Sequence, residues 1–364
     1  MSARLQEGGS GGADRPEATR AVLADDPRID PRIKAMFGVM PPLPPAGDVE
    51  SRESLLAEEA SELGQAIAAG QAAWGEAIDT EAVAPSEGLK ITTERFQSAP
   101  DGNEILVMLI RPEGAGPLPC VYYIHGGGMQ MMSCFNGLYR AWGKVIAAQG
   151  VAVAMVDFRN ALRPSSALEV APYPAGLNDC VSGFRWLHAQ SGALGLDPAR
   201  IVIAGESGGG NLTLATGLRL LRDGDIGLVH GLYALCPYIA GEWPQTRYPS
   251  SVENNGLLLD LHSNRGAMAY GIDAFRDHDP LAWPGFATVE DVRGLPATVI
   301  SVNECDPLRD EGLAFYRLLL EAGVPARGRD VLGTVHGTEI YLCCPDISRS
   351  TARDLADFCQ RDRA

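Results

Sequence analysis

The chain has 364 residues, 46% of them hydrophobic, and a formal net charge of −16. At about 100–200 residues per domain, that length fits one large α/β domain plus a smaller accessory region. The acidic balance argues against a nucleic-acid partner and gives no support for binding an anionic membrane.

Residues 1–24 are polar and glycine-rich and are expected to be disordered. Met1 to Arg20 lacks the apolar core of a signal peptide. No run approaches the ~20 apolar residues of a membrane span. Eight cysteines, at positions 120, 134, 180, 236, 305, 343, 344 and 359, follow no C-x-x-C spacing. They read as reduced, buried thiols of a cytoplasmic protein, not as a disulfide framework or a zinc site.

Pro41-Pro42-Leu43-Pro44-Pro45 reads as a stiff linker. A helix is expected from Val49 to Ile78, with Leu56, Leu63, Ile67 and Trp74 on one face. It precedes every strand, so 25–85 is read as an N-terminal cap segment, either a lid or a buttress. The main domain, 86–364, opens with a hairpin: Leu89 to Gln97, turn residues Pro100-Asp101-Gly102-Asn103, and Glu104 to Arg111. Strands then alternate with helices. Strand patterns cover Cys120–Ile124, Val151–Phe158, Ile201–Ala204, Leu228–Cys236 and Ala297–Val302. Helical patterns follow Leu177–Leu187, Leu212–Leu221, Gly312–Glu321 and Asp346–Cys359. This alternation predicts a mostly parallel sheet covered on both faces, with ligands at the carboxyl ends of its strands. The stretch from Pro237 to Pro296 has no clear strand. At about sixty residues it is too long for an ordinary connection and reads as a cap insertion, roughly 238–295.

Gly205-Glu206-Ser207-Gly208-Gly209 fits G-x-S-x-G between the strand at Ile201–Ala204 and a helix, the context a nucleophile elbow needs. No lysine follows the glycines, so a phosphate-binding loop of the Walker type does not fit. A serine nucleophile needs a base, and the base an orienting acid, in the chain order Ser, Asp or Glu, His. Of six histidines (125, 188, 230, 262, 278 and 336), only His336 follows the last strong strand. His188 reads as an edge residue, His230 as a satisfied core histidine, and His262 and His278 as parts of the cap. The loop after Val302 offers Glu304, Asp306, Asp310 and Glu311. Asp310 suits a helix cap and Glu311 a first helical turn, which leaves Glu304 and Asp306. Pro307 holds Asp306 in the loop, which favours it. Three glycines, Gly126-Gly127-Gly128, follow the strand ending at Ile124. They allow backbone N–H groups to approach a developing oxyanion; Gly127, Gly128 and Gly208 are the candidates, with His125 tethering the loop.

These pieces resemble the hormone-sensitive lipase family of α/β-hydrolases, in its bacterial carboxylesterase branch. They are His125-Gly126-Gly127-Gly128, Val156-Asp157-Phe158-Arg159, Gly205 to Asn211, Asp306 to Gly312 and Val335-His336-Gly337, supported in the cap by Ser251 to Asn255 and Asp279 to Pro284. The resemblance implies the α/β-hydrolase fold with a helical cap. It implies a Ser207–Asp306–His336 triad, taking Asp306 over Glu304, and hydrolysis of short-chain acyl or lactone esters. It is compatible with a homodimer. Such chemistry requires no metal or organic cofactor, and the expected partner is a small-molecule ester. Glu206 and Gly208 depart from the usual Asp and Ala, and Met129 from the usual aromatic. Met129, Glu206 and Leu308 are expected at the substrate pocket. Two alternatives stay open at this level: amide or thioester cleavage by the same triad, and a non-catalytic binding protein of the same fold. The latter typically loses a triad member, whereas all three candidates are present here.

Overall fold

The computed structural model describes residues 22–39, 46–114 and 116–361. The expectations for 1–21 and for the proline run at 41–45 lie outside the described residues. The strands are β1 (Leu89–Gln97), β2 (Glu104–Pro112), β3 (Leu118–Ile124), β4 (Ala152–Val156), β5 (Leu196–Glu206), β6 (Gly231–Leu235), β7 (Thr298–Asn303) and β8 (Ala326–Val331). They form one sheet in the order β1-β2-β4-β3-β5-β6-β7-β8. The hairpin pairs Leu89 with Pro112 and Gln97 with Glu104, antiparallel, and β2 runs antiparallel to β4. All remaining pairs are parallel.

Strands β3, β4, β6 and β7 are buried at every residue. That is why they read as unbroken apolar runs: helices cover both faces. The first six helices are α1 (Pro31–Phe37), α2 (Arg52–Ala60), α3 (Glu62–Ile78), α4 (Gly137–Ala147), α5 (Ala175–Leu194) and α6 (Gly208–Asp223). Four short helices follow between β6 and β7: α7 (Ser250–Glu253), α8 (Arg265–Tyr270), α9 (Ile272–Arg276) and α10 (Val289–Val292). The chain ends with α11 (Arg309–Glu321), α12 (Thr338–Tyr341) and α13 (Pro345–Gln360). The period-two alternation of the strands divides the core. Tyr122, Ile124, Ala154 and Val156 pack with α5, α6 and α11, while Val121, Tyr123, Val153 and Met155 pack with α4 and α13.

The helix expected from 49 to 78 is two helices. Ser61 is extended (φ −67°, ψ 159°) and its hydroxyl accepts the N–H of Gly64, so a second helix starts there with a new phase. The expected apolar face therefore packs only in part: Leu63 is 70% and Ile67 49% exposed, whereas Leu56 packs beside the buried Leu55 and Trp74 packs against Phe37 and Tyr341. Helix α3 meets α4 in close contact at Gly75 and Gly137, through the buried Ile78, and through charge. Arg140 pairs with Glu76 (2.7 Å) and Asp79, and Lys144 Nζ lies 2.6 Å from Asp79. Leu23, expected to be disordered, is packed with Ile29, Ile33 and Phe37.

The corner where β4 leaves the sheet is held by a buried ion pair. Arg159 donates to both oxygens of Asp179 on α5 (2.9 and 3.0 Å). Asp179 also accepts from the Arg159 N–H (3.0 Å) and from Ser98 at the end of β1 (2.5 Å). Removing one partner of a buried pair leaves an uncompensated charge. Asp179→Ala should therefore lower the unfolding free energy in urea by about 3–5 kcal/mol. Asp101→Ala removes a partner of the same guanidinium that is itself partly solvated, and should cost under about 1 kcal/mol. Similar small losses in both variants would show that this pair does not hold the corner.

Candidate active site

Ser207 occupies the one-residue turn between β5 and α6, with φ 57° and ψ −120°. A non-glycine residue rarely adopts this conformation, and strain of about 1–3 kcal/mol persists only where the surroundings fix it. They do so here: the Ser207 N–H donates to Leu235 O (3.0 Å), and its carbonyl accepts the N–H groups of Asn211 (3.0 Å) and Tyr238 (3.1 Å). A Cβ on Gly209 would fall 2.0 Å from the carbonyl oxygen of Ile124, so the turn packs backbone to backbone against the end of β3. Asn211 extends the bracing by donating to Tyr238 O (2.9 Å) and Ala282 O (3.0 Å) in the segment between β6 and β7.

His336 lies in the loop after β8. Its Nδ1 is 2.8 Å from Asp306 Oδ2, and both side chains are buried. The other Asp306 oxygen accepts the N–H of Leu308 (2.9 Å), and Asn254 Nδ2 donates to the Asp306 carbonyl (3.1 Å). Burial alone would lower the His336 pKa. The Asp306 carboxylate outweighs it, aided by the adjoining Cys236 sulfur, and holds His336 well above the ordinary histidine value. The Cys236 thiol is itself pushed by burial up to about 11. Among the described residues, Cys236, Asp306 and His336 are the one group with metal-ligand atoms within 4.8 Å of one another. Both Asp306 oxygens are already engaged by the imidazole and by Leu308, so the group reads as an acid–base pair with a thiol beside it.

Ser207 and His336 line one cavity of about 370 Å³, together with Gly127, Gly128 and Glu206. Its other walls are mostly apolar: Trp74 from α3, Met131 and Met132, Leu138 and Tyr139 from α4, Tyr238, Leu259 and Leu261, and Ile340 and Tyr341 from α12. Gln71, Gln130 and Asn136 supply polar points. The size and the sparse polar lining suit a small organic ligand. Gly127 and Gly128 both have positive φ (90° and 63°). A Cβ on Gly208 would meet the nitrogens of Gly128 and Met129 at 2.7 and 2.6 Å, so the loop amides lie directly over the start of α6.

Most sequence-derived candidates converge on this place, and some do not. Met129 and Leu308 are core residues, 1% and 0% exposed, and are not among the residues lining the cavity; the pocket methionines are the next ones along, Met131 and Met132. Met129 has φ 60°, which turns its side chain into the core. Asp310 does not cap α11, whose N-cap position is Leu308; its carboxylate accepts instead from Ser250 N (2.7 Å). Glu304 accepts from Gly333 N (2.7 Å). His125 is buried, stacked on Phe158, with Nδ1 2.9 Å from Gly126 O. His230 and His262 each engage a backbone carbonyl, of Ala199 (3.1 Å) and Ser251 (2.8 Å). Sequence reasoning missed Cys236 and Tyr139. The spacing Leu138, Ala141-Trp142 and Val145-Ile146 would have revealed the helix that carries Tyr139; nothing local marks Cys236.

The profile of the alpha/beta hydrolase fold family matches residues 121–340. Carboxylesterase NlhH of Mycobacterium tuberculosis is 35% identical over 248 residues, covering 66% of this chain and 72% of that protein. Two solved structures are alike nearly throughout. Esterase Est22 is 62% identical with a TM-score of 0.91, covering 93% of this chain and all of that one. Brefeldin A esterase, a bacterial homologue of human hormone-sensitive lipase, is 37% identical with a TM-score of 0.82, covering 93% and 95%. A strained serine elbow at the carboxyl edge of a mostly parallel sheet defines an α/β-hydrolase. Within that class the chain belongs to the hormone-sensitive lipase family and is a serine hydrolase of the carboxylesterase type. Among the described residues, no helix is long and apolar enough to cross a membrane.

The His336–Asp306 pair has a measurable signature. An imidazole titration followed by NMR should give His336 a midpoint well above the ordinary value of about 6.5, and Asp306→Asn should lower it by about 1–3 pH units. The raised value also sets a sign for stability. The pair's contribution is full below the ordinary histidine pKa and is lost as pH rises through the folded-state value. A parent midpoint at or below the ordinary value would refute the pairing.

Proposed function

We propose that this protein hydrolyses carboxylic esters through a covalent acyl-enzyme formed on Ser207. The observation that carries the reading is that Ser207, on its strained turn, and His336, paired with Asp306, open onto the same cavity. Ser207 Oγ attacks the ester carbonyl while His336 takes its proton. Asp306 holds the Nδ1–H and stabilises the imidazolium. The carbonyl oxygen becomes an oxyanion, for which the N–H groups of Gly127, Gly128 and Gly208 serve as donors in this reading. Collapse breaks the bond to the alcohol, which leaves with the proton from His336. Water, deprotonated by the same imidazole, then releases the acid and restores Ser207.

The apolar walls favour short or compact acyl and alcohol groups, lactones included. Gln71 and Trp74 on one side and Leu259 and Leu261 on another support reading the segments 25–85 and 238–295 as the cap over the site. One structure of Est22 holds p-nitrophenol, which recommends p-nitrophenyl esters as probes here.

With p-nitrophenyl acetate and butyrate, Ser207→Ala should lower kcat by about 10⁴–10⁶-fold. Turnover should decline as the acyl chain outgrows the cavity. Since only neutral His336 is a base, and its pKa is raised, the acid limb of kcat/KM should lie above pH 6.5. Stoichiometric ligand uptake without turnover would point instead to a binding protein. Faster cleavage of matched thioesters or amides would move the assignment to those bonds.

A further inference from the structure

We propose that Glu206 is a positioning residue for the oxyanion loop: its carboxylate holds the first amide of that loop against the nucleophile turn. The proposal rests on the ester-hydrolase reading of Ser207 and adds a role for the residue immediately before it.

Glu206 is 2% exposed yet carries an ionisable group. An isolated charge in such a place is costly, so its partners reveal its task. Oε1 accepts the N–H of Gly126 (2.8 Å) and the hydroxyl of Tyr139 on α4 (2.7 Å). Oε2 accepts the hydroxyl of Tyr123 on β3 (2.6 Å). The Gly126 N–H is shared with the Tyr139 oxygen (3.0 Å). Gly126 is the residue from which Gly127 and Gly128 turn towards the cavity, and a Cβ on it would fall 2.3 Å from Glu206 Oε1. The far end of the loop is fastened separately, by Ala161 N to Met129 O (2.9 Å) and Leu162 N to Gln130 O (3.0 Å). Glu206 thus clamps the near end, and because it adjoins Ser207 it ties loop and nucleophile to one point. The titratable groups around it are phenols: Tyr123, Tyr139 and, from α12, Tyr341, each with its pKa raised by burial. Burial raises Glu206 itself to about 7, against the lowering effect of the two tyrosine hydrogen bonds. Protonation removes an acceptor from a site where three donors converge, so the clamp loosens as the carboxyl takes up a proton.

The test compares wild type, Glu206→Gln and Tyr123→Phe on p-nitrophenyl butyrate across pH, with thermal melts as a folding control. Loss of one oxyanion donor typically costs about 10²–10³ in rate, so a displaced but intact loop should lose less. Glu206→Gln should lower kcat by about 10–100-fold and leave KM nearly unchanged. The wild-type acid limb of log kcat/KM should steepen to a limiting slope of two, from His336 and Glu206, whereas Glu206→Gln keeps a slope of one. Tyr123→Phe touches the carboxylate and not the loop; loss of its donor should move the Glu206 break to higher pH. That result stands even if the Gln variant fails to fold. The proposal is overturned if Glu206→Gln keeps the wild-type kcat, or if the break does not move in Tyr123→Phe. Absence of wild-type turnover would refute the ester reading and this proposal with it. Turnover abolished by Ser207→Ala with no effect at Glu206 would refute this proposal alone.

Discussion

The backbone of Ser207 sets the terms for the rest of the site. A serine at φ 57° can be kept there only by neighbours closer than side chains allow, and so the turn is packed directly onto the end of β3. That contact requires β3 and β5 to be adjacent, which they are, with Ile124 opposite Gly205. The same row continues across the sheet through Ala234 and Ile300 to Gly328. The residues just beyond this row emerge side by side: the loop from His125, then Ser207, then Cys236, then the Asp306 loop, with His336 following β8. Parallel strand order thus converts chain positions more than two hundred residues apart into one cavity wall. Backbone hydrogen bonds and tight backbone contact hold the Ser207 turn, with the Glu206 carboxyl beside it and the Asp306–His336 pair across the same cavity edge.

Buried carboxyls recur around that pair. Glu206, Glu311 and Glu339 are all within the protein and all have their pKa raised by burial, Glu206 to about 7 and Glu311 to about 8. Each ties a loop at the sheet edge. Glu311 accepts from the backbone of Ile239 (2.7 Å) and Ala240 (3.1 Å) and from Trp243 Nε1 (2.6 Å), fixing the start of the long insertion. Glu339 engages Asn303 at the end of β7 (3.1 Å). A carboxyl whose folded pKa is raised withdraws stability as pH climbs from its unfolded to its folded value. Ionising Glu206 and then Glu311 as pH rises through neutral therefore costs the fold stability.

What the sequence made legible follows from the range of the forces involved. The hairpin β1–β2 was readable because its alternation and turn residues are local. Ser207 and the glycine loop were readable because their backbone demands select glycine. His336 followed from chain order, and Asp306 from its proline and the family resemblance. The rest depended on tertiary packing. Nothing near Cys236 indicates that the end of β6 places its sulfur beside an imidazole exactly one hundred residues later. Glu206 was expected at the pocket, but its partners Tyr123 and Tyr139 lie on two other elements. Met129 was misread because a left-handed backbone at that residue sends its side chain inward, leaving Met131 and Met132 to face the cavity. The helix expected at 49–78 was misread for a related reason: one serine cap reset its phase.

That phase reset has a functional side. Helix α3 buries only part of the apolar face its sequence offers; it is pinned at its carboxyl end by Glu76 and Asp79 against Arg140 and Lys144, close to the cavity. Its remaining anchor is aromatic. Trp74 meets Phe37 (centroids 6.1 Å) and Tyr341 (5.7 Å), and Phe37 meets Tyr341 (5.0 Å). Three segments, from α1, α3 and the helix just after His336, thus close one wall through rings and not through an extensive core. The Arg140–Glu76 pair is exposed and weakened by salt, but the Lys144–Asp79 pair is buried and screened much less. The placement of this wall over the cavity thus rests on the buried Lys144–Asp79 pair together with the Phe37–Trp74–Tyr341 cluster, of which Trp74 and Tyr341 line the cavity.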